Sequence, residues 1–371
     1  MGGDIMLEKF EVTGFKNFEN TLCLDFSDIR DYKFNYRCLA NGLLSKIIVY
    51  GKNSVGKSNL GLAIFDIVAH LTTNHVGPGL YGYYLNVNNK AGYAEFHYVF
   101  LFPEGKVDYR YRKNDKQILT YEWVSINGKK LFSYDYEDGK GDLSGLKALI
   151  PTLNLSFRGS DSILKFAIAN SRLVENHPLY QMQRFVSHML WFRSLDENRY
   201  IGYKADSKDY YDFIFRNNKL SELEAFLRKA GLQEHLIAKK DADGETRLFI
   251  DARTPLPFFQ VASSGTKALY TFFYWLKTAN EVSLLFVDEF DAFYHYELSE
   301  TLVDLLEQSK GVQTILTSHN TNLLSNRIMR PDCYFILTGD GRLTSFANAT
   351  KRELREGHNL EKLYMSGEFD E

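Results

Sequence analysis

The sequence predicts an α/β protein with a mixed central sheet flanked by helices, an antiparallel β subdomain and a helical insertion. Three observations carry this. The compact apolar run Ile47-Ile48-Val49-Tyr50 stops at a glycine-rich loop, and from Ser58 to Leu71 apolar residues then recur at helical spacing (Leu60, Ala63, Ile64, Ile67, Val68, Leu71). Residues 91–132 alternate apolar and polar positions and break at Pro103-Glu104-Gly105, Asn114-Asp115 and Asn127-Gly128, the pattern of antiparallel hairpins. Two further buried-strand runs, Ser283 to Val287 and Thr314 to Leu316, enclose the helical text ELSETLVDLLEQ. Strands alternating with helices call for a parallel sheet covered by helices.

Taken in order, the chain opens with KFEVTGFKNFENTLCLDF, two runs rich in Phe, Val and Leu parted by Gly14 and by Asn17 to Asn20, a hairpin signal. The strand, glycine-rich loop and helix follow, and then the antiparallel stretch. Between Ser160 and about Leu236 the period becomes helical, clearest in DSILKFAIANSRL, LYQMQRFVSHMLWFRSL and SELEAFLRKAGLQEHL. Strand character returns at Thr246 with RLFI, and a helix starts near Ser263 after the bend Pro255-Leu256-Pro257. The division expected is a first lobe over 1–155, a helical insertion over 156–245 and a second lobe over 246–371, the two lobes forming one discontinuous head. Neither sustained heptads nor an internal repeat is present.

The formal charge of -3 and pI near 6.3 argue against a chain that coats nucleic acid through bulk positive charge, while leaving room for a local basic patch. Cys23, Cys38 and Cys333 lack CxxC or Cys/His metal spacing, so neither a disulfide framework nor a zinc site is indicated, and a reducing cytoplasm is expected. The N-terminus lacks a signal-peptide pattern, and no apolar run approaches the ~18 residues a membrane span needs.

The loop itself is Gly51-Lys52-Asn53-Ser54-Val55-Gly56-Lys57-Ser58: glycine, four residues, then Gly-Lys-Ser, between a predicted strand and a predicted helix. That is the pattern and context of a phosphate-cradling P-loop. Its glycines let the backbone turn tightly around phosphate oxygens, and the helix N-terminus adds N–H donors and partial positive charge. Lys57 would pair with the β- and γ-phosphates of ATP and Ser58 would offer its hydroxyl to Mg2+, with Asn53, Ser54 and Asn59 completing the nucleotide contacts.

Leu284-Leu285-Phe286-Val287-Asp288-Glu289 puts adjacent carboxylates at the end of a buried strand. Beside a P-loop, Asp288 would hold the magnesium shell and Glu289 would polarise an attacking water. Thr314 to Asn320 repeats the design one strand later and ends on His319, which could hydrogen-bond the γ-phosphate or the water. Ser263-Ser264-Gly265 opens a predicted helix; it is either an N-cap alone or an anion-receiving helix start. Lys106 to Lys116 (KVDYRYRKNDK) interleaves Arg110, Arg112, Lys113 and Lys116 with Tyr109 and Tyr111. It is either a nucleic-acid surface or the solvated rim of a hairpin.

In this order (P-loop at 51, Ser-Ser-Gly at 263, Asp-Glu at 288, His at 319) the motifs resemble the P-loop NTPases of ABC-ATPase type, the ATPase heads of the SMC and RecF kind. The resemblance implies that Ser263, Ser264 and Gly265 reach across to the γ-phosphate held by a second copy, that Glu289 is the catalytic carboxylate and that His319 is the switch histidine. A head-to-head dimer with two ATP molecules and Mg2+ follows. Within that superfamily the opening FEVTGFKNFENTLCLDF, the antiparallel sheet, VDEFDAFYH and the closing Gly357-His358-Asn359-Leu360-Glu361-Lys362-Leu363-Tyr364 resemble compact standalone AAA-family ATPases of bacterial anti-phage and abortive-infection systems. Those are related to the ATPase half of overcoming-lysogenization-defect nucleases.

Two features depart from the pattern. The Q-loop glutamine has no clear position, with His97 and Gln117 lying in roughly the right region, and the signature segment lacks a second glycine. The stretch after His319 is too short for a Toprim nuclease, so the expectation is a regulatory ATPase controlling a separate effector, a nuclease or toxin. A RecF-like DNA-binding ATPase of repair or replication is the alternative, and a nucleotide-locked scaffold that barely hydrolyses ATP is the third.

Overall fold

The computed structural model describes residues 5–72, 81–151, 161–193, 199–202, 207–241, 243–278, 282–292 and 296–369. The first part of the chain forms β1 (Met6–Thr13), β2 (Leu22–Asp25), the short β3 (Leu39–Ala40) and β4 (Leu43–Leu44), β5 (Lys46–Tyr50) and α1 (Lys57–Leu71). Then come β6 (Tyr93–Phe102), β7 (Gly105–Asn114), β8 (Leu119–Ile126), β9 (Lys129–Asp135) and β10 (Lys140–Asp142). A mixed stretch follows: α2 (Ser144–Leu149), α3 (Ile163–Ala169), α4 (Pro178–Ser187), β11 (Leu190–Arg193), β12 (Arg199–Gly202), α5 (Ser207–Arg216) and α6 (Leu220–Lys229). The last part holds β13 (Leu236–Lys240), β14 (Thr246–Ile250), β15 (Leu256–Pro257), α7 (Phe258–Val261), α8 (Ser264–Thr278), β16 (Leu284–Asp288), α9 (Tyr296–Gln308), β17 (Gln313–Thr317), β18 (Tyr334–Leu337), β19 (Leu343–Ser345) and α10 (Leu360–Met365).

Two seven-stranded sheets organise these elements. One is wholly antiparallel, in the order β10-β9-β8-β7-β6-β1-β2. The other runs β12-β11-β16-β17-β5-β18-β19, with five parallel strands between two antiparallel edges. Its inner strands β16, β17 and β5 are buried at every position, so they carry continuous apolar runs rather than alternation. This is the mixed α/β fold expected of an ABC-type P-loop head.

Helix α1 lies between the two sheets. Leu60, Ala63, Ile64, Ile67, Val68 and Leu71 are all buried, and so are Leu62 and Phe65 on other faces. A helix that is apolar nearly all round must be enclosed. Its one buried carboxylate, Asp66, is met by the antiparallel sheet and its flank: Tyr84 Oη and Tyr111 Oη donate at 2.8 Å each, and Lys113 Nζ at 2.6 Å. Tyr98 Oη donates to the carbonyl of Ala63 at 2.9 Å. The loop–helix unit is therefore held from both sides.

The helical reading of residues 160–236 needs correction in three places, one of them β12 (Arg199–Gly202), which pairs antiparallel with β11. In LYQMQRFVSHMLWFRSL the helix stops at Ser187, and Leu190–Arg193 is a strand pairing in parallel with Leu285, Phe286 and Val287 and with Asp288. A short run such as Met-Leu-Trp-Phe fits a buried strand and a buried helix equally well by periodicity, and here pairing with β16 decides. Likewise SELEAFLRKAGLQEHL is helical only to Lys229; Gly231 takes a left-handed φ of 85°, and Leu236 begins β13. Of VDEFDAFYH, Phe293, Tyr294 and His295 lie outside the described residues.

Candidate nucleotide-binding site

Strands β5, β16 and β17 are adjacent and parallel, so the segments leaving their carboxyl ends converge on one edge of the sheet. The loop 51–56 leaves β5, Asp288 and Glu289 end β16, and Ser318 and His319 follow β17. Asn53, Ser54, Gly56, Lys57, Ser58, Asn59, Glu289 and His319 line one open cleft of about 860 Å³. A parallel sheet presents its ligand site at this edge.

The loop is shaped for close approach. Gly51 passes the Leu337 carbonyl so closely that a Cβ would lie 2.6 Å from its oxygen. Gly56 has φ of 109°, and a Cβ there would lie 2.3 Å from the Asn17 side chain. Asn17 is the brace of the loop: its Nδ2 donates to the Val55 carbonyl at 2.7 Å, and its Oδ1 accepts from Asn59 Nδ2 at 2.8 Å. Ser54 also sits in the left-handed region at φ 65°. Lys57 is buried, and its Nζ donates to the carbonyls of Gly51 at 2.9 Å and Lys52 at 3.3 Å. Burial pushes its pKa down, while Glu289, Asp288 and Asp291 oppose that shift. Its ammonium thus rests on main-chain oxygens that a phosphate would replace.

Across the cleft, Thr317 couples the two carboxylates. Its Oγ1 donates to Asp288 Oδ1 at 2.7 Å and accepts from the Glu289 backbone N–H at 2.7 Å. Asp288 is thereby held in the wall, whereas Glu289, at φ 49°, turns out toward the cleft. A non-glycine residue held in this region marks stored strain of the kind found at functional sites. His319 stands between the halves, with Nδ1 3.5 Å from Lys57 Nζ and Nε2 3.5 Å from Glu289 Oε1. An imidazole protonated on Nε2 would accept from the lysine and donate to the carboxylate, both at the outer limit of hydrogen bonding. Ser318 Oγ donates to Asp291 Oδ2 at 2.8 Å, and burial raises the Asp291 pKa.

The donor set fits a hard cation beside a phosphate. Ser58 lines the cleft, and only Oδ1 of Asp288 takes a hydrogen bond from the described residues, leaving Oδ2 uncommitted. Among the described residues no cluster of three or more His, Cys, Asp or Glu is placed to hold a metal. Magnesium would therefore depend on two protein oxygens, with phosphate and water completing its shell, the habit of that ion.

Not every predicted residue lines this cleft: Gly51 and the buried Asp288 are not among its lining residues. Ser263, Ser264 and Gly265 sit at the start of α8, with Ser263 and Ser264 exposed, and none of the three lines it. Ser263 Oγ accepts from the Thr266 N–H at 3.1 Å, so it caps its own helix. His97 bridges Glu11 at 2.6 Å and Asp108 at 2.8 Å on the antiparallel sheet, and Gln117 occupies a turn at φ 63°, so neither acts as a cleft residue. Within KVDYRYRKNDK, Tyr109 and Tyr111 are fully buried and cannot stack on bases, and Lys113 is buried against Asp66. Asn17 and Thr317 were not singled out from sequence. Asn17 lies in the turn of the opening hairpin, and Thr317 directly precedes Ser318-His319, the only hint available.

Fold and cleft together define a P-loop nucleotide-binding head. The chain belongs to the family described as "AAA domain, putative AbiEii toxin, Type IV TA system", whose pattern matches residues 46–325, more than half of the chain. No curated protein matches it in sequence. Among solved structures it is similar to an Smc head bound to the C-winged helix domain of ScpA (18% identity, 91% of this chain and 97% of that one, TM-score 0.47). It is also similar to the SMC head domain from Thermotoga maritima (15% identity, 91% and 98%, TM-score 0.44). A third is the Smc head domain with an extended coiled coil bound to the C-terminal domain of ScpA derived from Pyrococcus furiosus (14% identity, 92% and 96%, TM-score 0.44). Among the described residues no helix is long and apolar enough to cross a membrane.

Proposed function

We propose that this chain binds ATP with magnesium at the 51–58 loop, hydrolyses it slowly in a homodimer, and thereby controls a separate effector protein in an anti-phage defence system. The observation that carries the reading is the convergence of Lys57, Ser58, Glu289 and His319 on one cleft. Lys57 would give up its contacts to the carbonyls of Gly51 and Lys52 for the β- and γ-phosphates. Magnesium held by Ser58 and Asp288 would supply charge neutralisation at those phosphates. Glu289, aimed into the cleft, is suited to accept the proton of an attacking water, and His319 to hydrogen-bond the γ-phosphate. Ser264, exposed at the N-terminus of α8, and the half-buried Gly265 beside it are suited to reach the phosphate of a second copy, where the helix end favours negative charge. The description of the family, which includes the words "putative AbiEii toxin, Type IV TA system", supports the defence setting.

Two variants test this. Lys57→Ala is expected to lose ATP binding and, in a plaque assay, phage resistance. Glu289→Gln is expected to keep ATP binding, lose turnover by ~100-fold or more and accumulate as an ATP-bound assembly in size-exclusion chromatography. Unchanged turnover in Glu289→Gln would refute the catalytic assignment. Equal resistance with Lys57→Ala and wild type would sink the link between ATP and defence.

A further inference from the structure

A second cleft, of about 540 Å³, opens between the segment 30–34 that follows β2 and the segment 347–355 that follows β19. Its walls carry five cations, Arg30, Lys33, Lys351, Arg352 and Arg355, against two carboxylates, Asp31 and Glu353. Three more acids stand at its margins: Glu368 behind Arg352, Asp28 on Asn348, and Asp332, which is paired with the buried Arg330. This is a positive patch on a chain whose formal net charge is -3. The pairs Lys33–Asp31, Arg352–Glu368 and Arg355–Glu353 all have well-exposed cations. Exposed pairs of this kind contribute little and exchange readily for another anion. Lys351 is exposed and has no ion pair among the described residues.

The same cleft carries two half-buried aromatic rings, Tyr32 and Phe34, with centroids 5.5 Å apart. Tyr32 is held from beneath, and Phe34 packs against it. Arg330 is fully buried and forks onto Asp332, with Nε to Oδ1 and Nη2 to Oδ2 at 2.7 Å each, and its guanidinium lies 5.5 Å from the Tyr32 ring. Asp332 Oδ2 also accepts from the Arg30 backbone N–H at 2.8 Å, and Arg330 donates to the Arg30 carbonyl. Arg30 and Asn348 hydrogen-bond across the cleft and tie its two walls together. A buried ion pair spent on clamping one surface loop preorganises that loop, which lowers the ordering cost of a ligand that meets it.

From this geometry we propose that the cleft binds single-stranded nucleic acid, its phosphates against Lys33, Lys351 and Arg355 and a base against Phe34. A positive groove with aromatic platforms is the combination that grips a single strand without sequence preference. In the basic stretch 106–116, Tyr109 and Tyr111 face the core, and Arg110 and Arg112 already lie over the rings of Trp123, Tyr93 and Tyr121 and pair with Asp108 and Glu95.

The test is fluorescence anisotropy with a labelled thymidine strand of ~12 nucleotides and a duplex of equal length. It uses the full chain carrying Lys57→Ala, so that the outcome does not depend on the ATPase reading. The single strand is expected to bind, with log Kd rising linearly with log salt. Lys33→Glu with Lys351→Glu should weaken binding at least ~10-fold and lower the salt slope by about 1.4, the share of two phosphate contacts. Both side chains are exposed, so an unchanged thermal midpoint will show that the fold is kept. Phe34→Ala should cost the single strand on the order of 10-fold, and Lys106→Glu with Lys116→Glu should cost less than about twofold. The proposal is overturned if the strand does not bind, if the 33/351 variant binds like its parent, or if the 106/116 variant is the one that loses binding. Equal duplex affinity with no effect of Phe34→Ala would overturn the single-strand assignment in favour of duplex backbone contact.

Discussion

Thr317 is a small side chain that gives two adjacent acids different positions. Asp288 and Glu289 are neighbours on the chain, yet one hydroxyl donates to the first carboxylate and accepts from the backbone of the second, locking one into the wall and turning the other into the cleft. Thr317→Val keeps the shape and removes the hydroxyl, leaving an N–H and a carboxylate oxygen without their partner, a loss of about 1–3 kcal/mol. The expected result is a fall in ATP turnover of roughly 10- to 100-fold with ATP affinity, from a fluorescent-analogue titration, changed far less. A parallel loss of both would show that Thr317 supports the site as a whole rather than positioning Glu289. Asn17 plays the corresponding part for the loop, from an element distant in sequence.

Among the elements, α1 and α9 make the clearest predictions. Helix α1 is docked on the antiparallel sheet through Asp66, whose partner Lys113 is just as deeply buried. Asp66→Asn leaves that ammonium without its counter-charge and is expected to cost about 3–5 kcal/mol in urea unfolding. Adding Lys113→Met should recover most of the loss, since replacing both partners removes the stranded charge; failure to recover would mean the ion pair is not the source. Helix α9 meets the 36–38 turn through Glu307, which accepts from Cys38 Sγ at 3.2 Å. Burial pushes the Glu307 pKa up from 4.5 to about 7. The folded protein therefore holds this proton more tightly than the unfolded chain, so stability falls as pH rises from 4.5 to about 7 and is level beyond. Glu307→Gln should flatten that part of the pH–stability profile, by on the order of 1–2 kcal/mol given the partial exposure of the group. A profile of unchanged slope would count against it.

For the whole molecule the question is whether one chain makes a complete site. Ser264 and Gly265 do not line the cleft that holds Lys57 and Glu289. If they serve a second copy, two inactive variants, Lys57→Ala and Ser264→Asp, should complement when mixed. A mixed dimer has one intact composite site, so an equal mixture should regain about a quarter of the wild-type rate. Activity that stays at the level of the separate variants would place Ser264 in its own chain's site or in none.

The sequence by itself determined the strand–loop–helix of residues 47–71, the buried runs at 283–287 and 314–316 and the antiparallel stretch from 91 to 132, each within a few residues of the observed elements, because apolar runs, period-two alternation and Gly-Lys-Ser spacing are local signals. It also marked Lys57, Ser58, Glu289 and His319, and adjacency of three parallel strands brings them to one edge. Only the tertiary structure decided that Leu190–Arg193 is a strand rather than the end of a helix, since a four-residue apolar run takes the state its partner strand imposes. Only packing showed that Tyr109 and Tyr111 face inward, and that Asn17 and Thr317 hold the loop and the carboxylates. Those assignments rest on contacts between residues remote in sequence, and no local period or spacing encodes them.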